Sequence, residues 1–361
     1  MIGIMGGYGD IGKEVVSILQ SYYPGNIKTG GRKYSHLQKN TNGILQQYID
    51  VGEADSIYEF ASDCDILVNC TGCRQEFSKR AAQICMEKGC HYVDVNKNEW
   101  LSDQERASTS NYMLHNAGSL PGISGLLPSY AAGCFDTADS VELYYMASGE
   151  FSNTAANDYV QGLCGGTTKG MVKYQDGTCV PAFLDAGNAY MPVFNREFKV
   201  FPYLDAEAMH CIETMKLVRG SWFMAYEKGY TLAILEKINC ASYVNDTKIA
   251  EKVCTASKLD CKVNGQYAGI IIQAEGYQGG EKRVKTLIIK YDSPALFTGS
   301  AVAAAIISVL ERKIESGIYM LSETFKGQQI IDVLKEIATY STFVMEDGKL
   351  DEALAEKEGE L

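Results

Sequence analysis

The sequence predicts an α/β protein, with a doubly wound parallel sheet followed by a second α+β domain on a mainly antiparallel sheet. Three observations carry this. The chain opens on a short apolar strand, a glycine-spaced turn and an amphipathic helix. Short apolar runs then alternate with helical patterns up to about residue 115, the signature of a parallel sheet covered by helices on both faces. From Ser140 the texture changes. Residues 141–146, 267–273 and 283–291 alternate like strands, and Gly279-Gly280 between the last two is a hairpin signal.

Met1-Ile2-Gly3-Ile4-Met5 reads as the first strand, and Val15, Val16, Ile18 and Leu19 mark the helix after it. Between them, Gly7-Tyr8-Gly9-Asp10-Ile11-Gly12 fits the Gly-x-Gly-x-x-Gly spacing of a Rossmann dinucleotide site. The first glycine permits a tight turn, the second lets backbone approach a pyrophosphate, and the third lets helix and strand pack closely. The phosphates rest at the helix N-terminus, where N–H groups and the helix dipole favour negative charge.

Residues 26–32 read as the second strand. An acid near its end would hold the ribose hydroxyl of NAD, whereas a cation suits the 2′-phosphate of NADP. Arg32-Lys33 stands there and no acid does, so the expected cofactor is NADP(H); a solvated loop charge is the alternative reading. The third strand, 46–51, ends in Asp50-Val51 at the expected adenine edge, and 56–61 follow as a short helix. Asp65-Ile66-Leu67-Val68-Asn69-Cys70 is a fourth, buried strand. Its end supplies cofactor contacts at Asn69, Cys70, Thr71 and Gly72, whose small residues let the chain pass near a nicotinamide or diphosphate. Residues 77–88 form a helix, 90–95 a fifth strand, 103–109 a helix and 112–115 a sixth strand. Pro121-Gly122 then opens an apolar helix that reads as a crossing between domains.

The small and aliphatic helix from Leu296 is too apolar to lie exposed and is expected to return to the first domain, with another helix at 330–337. The expected layout is 1–122 joined by 296–345 as the nucleotide domain, 123–295 for substrate binding and dimerisation, and an acidic tail, 346–361. The two crossings place the active site in a cleft bounded by Thr71-Gly72, Asp94 and Pro121-Gly122.

Composition narrows the partners. A net charge of −12 opposes non-specific nucleic-acid binding. No apolar run reaches the ~20 residues of a membrane span, and a chain that begins on a strand leaves no room for a signal peptide, so the expected location is the cytoplasm. The twelve cysteines read as free thiols. Cys70-Thr71-Gly72-Cys73 is a single CxxC without a second pair, and only four histidines are present, so no metal site is expected.

With these landmarks placed, the chain resembles the saccharopine dehydrogenase/reductase-like family of NAD(P)-dependent oxidoreductases. The resemblance rests on Gly7-Tyr8-Gly9-Asp10-Ile11-Gly12, Gly31-Arg32, Asp65-Ile66-Leu67-Val68-Asn69-Cys70-Thr71-Gly72, Cys90-His91-Tyr92-Val93-Asp94, Ala117-Gly118 and Pro121-Gly122, in that order. It implies hydride transfer at a C–N bond, as imine reduction or secondary-amine oxidation, on an amino-acid-like substrate. Gly165-Gly166-Thr167-Thr168 resembles the glycine-rich substrate segment of that family, so Thr167, Thr168 and Lys169 join Pro121 and Gly122 as expected substrate contacts. Two alternatives stand beside this function: an imine reductase tailoring a peptide or small metabolite, and a non-catalytic NADP-binding sensor. A homodimer is expected.

Asp94, at a strand end where such sheets place ligands, is the candidate acid that protonates an imine; closing a loop through backbone hydrogen bonds is its other reading. His91 is expected to pack against helices and Tyr92 on the opposite face. Lys169, Arg196 and Arg219 are candidate clamps for a substrate carboxylate.

Overall fold

The computed structural model describes residues 1–32, 43–97, 109–164, 168–238, 248–324 and 327–350. β1 (Ile2–Met5) is buried along its whole length, as the centre of a sheet covered on both faces must be. α1 (Asp10–Tyr22) buries Val15, Ile18 and Leu19 and exposes Lys13 and Ser17, the spacing that seats a helix on a sheet. β2 (Ile27–Gly31) and β3 (Leu45–Tyr48) extend the sheet on one side of β1. α2 (Ala54–Phe60), β4 (Ile66–Asn69), α3 (Gln75–Lys88), β5 (His91–Asp94) and β6 (Tyr112–His115) build the other side. β1 pairs with β2 and β4 in parallel, Ile2 standing opposite both Ile27 and Ile66. β4 and β5 are in a register that sets Asn69 opposite Asp94.

α3 ends at Gly89, whose φ of 70° lets Gly89 N–H reach the Met86 carbonyl and Cys90 N–H reach that of Cys85. This Schellman closure brings the buried Cys85 and Cys90 together as its apolar contact. After β6, residues 116–122 turn into α4 (Ile123–Ala132), which contains the division between the two compact units of the chain.

The first unit is Met1–Leu126 with Ala295–Thr339. Helix Pro294–Leu310, buried from Phe297 to Val309 except at Thr298, packs on α1 within it. A Cβ at Gly299 would stand 2.5 Å from the Glu14 Cβ, so the small side of this helix is what lets the two approach. The strand Gly317–Met320 then joins β6 in parallel. The finished sheet has seven strands in the order Gly317–Met320, β6, β5, β4, β1, β2, β3, all parallel. Strand order reverses at β1, so the ligand crevice of such a sheet lies outside the C-terminal ends of β1 and β4.

The second unit is Leu127–Pro294 with the residues from Tyr340 on. Its sheet is centred on Thr137–Ser148, which pairs antiparallel with Tyr267–Gln278 and parallel with Arg219–Tyr226. The remaining pairings are antiparallel. Gly279 and Gly280, with φ of 61° and 82°, form the two-residue turn between Tyr267–Gln278 and Glu281–Tyr291, the positive-φ turn that matches strand twist. Met146, Phe198, Phe223, Ile271 and Ile288 form the core on one face. A separate cluster of Ala156, Val160, Ile249 and Val253 joins helices Asn153–Cys164 and Ile249–Asn264.

Two expectations are corrected at the C-terminal end. The return to the nucleotide unit was expected to run to residue 345, but Thr342–Asp347 is a strand of the second sheet, paired with Glu281–Tyr291. The exposed edge of that hairpin supplies the backbone partners. The acidic tail was expected from Glu346. Glu346 and Asp347 instead belong to this strand, Asp347 pairs with Lys285 at 2.7 Å, and the buried Leu350 donates its N–H to the Gln273 side chain. Residues 351–361 lie outside the described residues, as does most of the helix expected at 103–109. The third strand is also shorter than expected, ending at Tyr48 rather than Val51. Among the described residues no helix is long and apolar enough to cross a membrane.

Candidate functional site

The three motif glycines differ in what surrounds them. A Cβ at Gly7 would meet Thr29 at 2.8 Å, and one at Gly12 would stand 2.2 Å from the Gly6 carbonyl oxygen. At Gly9 only the Gly6 oxygen lies near, at 3.3 Å, and the residue is exposed. The first and third glycines are therefore closed by the fold, while the second faces open space. Gly9 is also the N-cap of α1, and no side chain caps that first turn. An uncapped helix start beneath an open glycine is a cradle that a diphosphate fills. Asp10 is exposed beside it, and Ile11 is half-buried.

Tyr8 leans from the same turn toward the end of β2. Its ring stands 3.1 Å from where a Gly31 Cβ would be, and its hydroxyl lies 3.5 Å from Thr29 Oγ1. Arg32 follows Gly31 directly and is exposed. Lys33 lies outside the described residues. At the end of β3, Asp50 Oδ1 accepts the Gly52 N–H at 2.9 Å, so this carboxylate closes its own turn. Val51 packs against the core.

At the end of β4 the chain meets the glycine turn: a Cβ at Gly6 would touch Cys70 backbone and the Thr71 methyl group at 2.9–3.0 Å. Burial, then the nearby Asp94, pushes the Cys70 thiol pKa well up, which keeps it protonated. Asn69 points inward and is fully buried. Its Oδ1 accepts from Thr71 N–H (3.1 Å) and Thr71 Oγ1 (2.6 Å). Its Nδ2 donates toward Asp94 Oδ2 (3.1 Å), Ser78 Oγ (3.2 Å) and Tyr92 hydroxyl (3.3 Å).

Asp94, also fully buried, is the centre of this network. Oδ2 accepts from the Tyr92 hydroxyl at 2.6 Å, and Oδ1 accepts from Asn96 N–H and Nδ2, both at 2.8 Å. Burial raises its carboxyl pKa, and the hydrogen bonds from Tyr92, Asn96, Ser78 and Asn69 oppose that rise. Burial followed by the adjacent Asp94 lifts the Tyr92 phenol far above its ordinary range. The carboxylate is thus surrounded by donors of its own unit and accepts the Asn96 backbone N–H in the loop after β5. Ser78 and Asn96 are partners that sequence reasoning missed. The available signal was that Asn69 and Asp94 end neighbouring parallel strands.

His91 is half-buried, its Nδ1 accepting from Tyr112 N–H at 3.3 Å and its ring meeting that of Tyr112 edge-on. Burial and then Arg312 lower its pKa. Pro121 and Gly122 sit in the tight 116–122 loop, where a Cβ at Gly122 would be 2.3 Å from the Gly118 oxygen; Ser119 and Thr298 hydroxyls meet nearby at 2.9 Å.

Of the residues expected to touch substrate in the second unit, Thr167 lies outside the described residues. Thr168 is half-buried, and the exposed Lys169 begins a two-residue strand beside Leu204. Arg196 is held by Glu227 at 3.0 Å and Arg219 lies 3.5 Å from Glu275. Neither guanidinium is an uncommitted clamp.

Residues 2–117 match the family model described as the saccharopine dehydrogenase NADP binding domain. No curated protein sequence matches the chain. Among solved structures, saccharopine dehydrogenase (L-Glu forming) from Saccharomyces cerevisiae shares the fold with a TM-score of 0.67 at 11% identity, over 96% of this chain and 99% of that one. The amine dehydrogenase from Mycobacterium smegmatis (TM-score 0.48, 10% identity, 90% and 96% covered) and C. glutamicum DAP dehydrogenase (0.45, 16%, 93% and 98%) also align. The glycine cradle, the strand order and the match to residues 2–117 converge: this part of the chain is a Rossmann domain of the saccharopine dehydrogenase NADP-binding type, and the whole chain shares the two-unit fold of the yeast structure.

Proposed function

We propose that the chain is an NADP(H)-dependent oxidoreductase acting on a C–N bond, by imine reduction or secondary-amine oxidation, of an amino-acid-like substrate. The observation that carries the cofactor half is the open Gly9 cradle with Arg32 at the end of β2. The family match and the name of the yeast structural relative support the reaction class. NADPH, when bound, supplies a hydride, and the fold supplies position.

In this reading the backbone at Gly7–Gly12, with Tyr8, Asp10 and Ile11 around it, holds the diphosphate. Arg32, aided by Lys33, takes the 2′-phosphate as a forked donor. Asp50 and Val51 line the adenine edge through their turn. Cys70, Thr71 and Gly72 border the nicotinamide side, and Asn69 sets Thr71 from behind. Asp94 is a positioning residue: buried among donors, it locks the loops after β4 and β5 instead of handing a proton to substrate. Pro121, Gly122, Thr167, Thr168 and Lys169 are retained as proposed substrate contacts.

A homodimer belongs to the same proposal. Phe183 and Leu184, 67% and 98% exposed, form an apolar knob, and Tyr190 is 58% exposed on Gly187–Met191. Among the described residues that strand pairs on one edge only, and an open edge beside exposed apolar groups invites another chain.

The test is consumption of NADPH with panels of amines and oxo acids, singly and in pairs. Turnover requiring both an amine and a carbonyl compound supports the reading. Cofactor binding with no turnover on any pair contradicts the enzymatic half.

A further inference from the structure

Phe194, Tyr267 and Tyr291 line a half-open cavity of about 190 Å³ in the second unit, with Arg196, Lys290 and Asp292 around it. The three charges are not equivalent. Arg196 Nη1 donates to both Glu227 oxygens at 3.0 Å, and its Nη2 donates to the Asn264 carbonyl at 2.9 Å. The Tyr267 hydroxyl donates to the same Glu227 at 2.8 Å, while the Arg196 guanidinium lies 4.9 Å from the Tyr267 ring centre. Glu227 therefore neutralises Arg196, and this group of three acts as a fixed wall.

Lys290 is different. Its ammonium stands 5.2 Å from the centre of the Phe194 ring, and the residue is half-buried. Among the described residues no carboxylate pairs with it, and Asp292, exposed two residues on, carries no ion pair either. The cavity thus offers a cation with all three donors uncommitted, an anion with its oxygens uncommitted, and aromatic surface between them. With Arg196 neutralised by Glu227, the two remaining charges of the lining balance, which disfavours a polyanion such as a nucleotide. The volume suits a ligand of only a few heavy atoms.

We propose that this cavity binds the α-amino acid group of a small zwitterion, its carboxylate on Lys290 and its ammonium on Asp292. The choice of an amino acid rests on the function proposed above; the placement rests on the two uncommitted charges. The group has two possible sources, the amino-acid end of the substrate itself or a separate free amino acid.

Calorimetric titration of the full chain with L-alanine, acetate and ethylamine tests this, with NADPH affinity measured on the same preparations. L-Alanine should bind saturably. Lys290→Met should weaken it at least about tenfold, and Lys290→Arg should restore most of the loss. Asp292→Asn should weaken L-alanine but not acetate, and ethylamine should bind poorly. If Lys290→Met raises KM for an amino substrate at constant kcat, the group is the substrate's own. If turnover is unchanged while L-alanine binding is lost, the ligand is a separate amino acid. No saturable L-alanine binding, or binding that Lys290→Met leaves unaltered, overturns the site. Intact NADPH binding in that case leaves the cofactor reading standing.

Discussion

The Asn69 side chain joins two strand ends: its Nδ2 donates to Asp94 Oδ2 at 3.1 Å while its Oδ1 takes the Thr71 N–H at the same distance. One buried amide therefore couples the loop after β4, which meets the glycine turn at Gly6, to the end of β5. Asn69→Ala should lower unfolding free energy by about 1–3 kcal/mol, the usual consequence of leaving buried polar partners unpaired. NADPH affinity should fall with it, because Thr71 loses its anchor. Urea unfolding and cofactor titration of the variant check this. An unchanged midpoint with unchanged affinity contradicts it.

Asp94 gives a pH dependence of fixed sign. Burial raises its folded-state pKa above the ordinary aspartate value of about 3.9. The folded chain therefore keeps a proton that the unfolded chain has already released. Linkage then makes stability fall as pH rises from the ordinary value through the raised one, with no further contribution above it. Asp94→Asn removes that titration, so the stability of the parent relative to the variant should decline across this window. A difference that stays flat, or that grows with pH, contradicts the assignment.

Two glycines of one motif should respond in opposite ways. At Gly12 a methyl group would stand 2.2 Å from the Gly6 oxygen, a backbone atom that cannot swing aside. Gly12→Ala should therefore destabilise the fold by about 1–3 kcal/mol, as overpacking does. At Gly9 the nearest atom would be 3.3 Å away and the other side is open. Gly9→Val should leave the melting temperature nearly unchanged and abolish NADPH binding. Retained cofactor binding would reduce the turn to a purely structural element.

The exposed knob gives a fourth outcome. Leu184→Asp places a charge on a side chain that is 98% exposed, so it should not disturb folding of one chain. It should convert the dimer into monomer by light scattering at micromolar concentration. A parent chain that is already monomeric there, or a variant that stays dimeric, contradicts the proposed contact.

The nucleotide unit was legible because its evidence is local. Apolar runs such as Ile66–Val68 cannot be satisfied except in a sheet covered on both faces, and the glycine spacing marks the turn before α1. Gly317–Met320 was missed because its partner, Tyr112–His115, lies far upstream and on the other side of the second unit's sequence, so the pairing leaves no mark on local pattern. The strand at Thr342–Asp347 was assigned to the wrong unit because its partner, Glu281–Tyr291, lies far upstream, and pairing across that span leaves no mark on local pattern. The site divides in the same way. Asp94 was visible as a strand-end acid. That it faces Tyr92, Asn69 and Asn96 rather than open space depends on register and on the turn after β5, which only the structure supplies. Arg196 was visible as a cation, while its engagement by Glu227 joins strand ends that no spacing rule connects.

Cofactor choice decides whether the end of β2 is a 2′-phosphate site. Arg32 is exposed at the end of β2, directly after Gly31, which the Tyr8 ring approaches, where the 2′-phosphate of NADP is expected. A charge-assisted hydrogen bond to a phosphate contributes about 1.5–3 kcal/mol, so NADPH should bind about tenfold or more tightly than NADH. Fluorescence titration of both cofactors against the parent chain and Arg32→Ala makes the measurement. The parent should show a clear NADPH preference that Arg32→Ala largely erases, with NADH affinity little changed. Equal dissociation constants for the two cofactors in the parent, or a preference that survives the loss of Arg32, would contradict it.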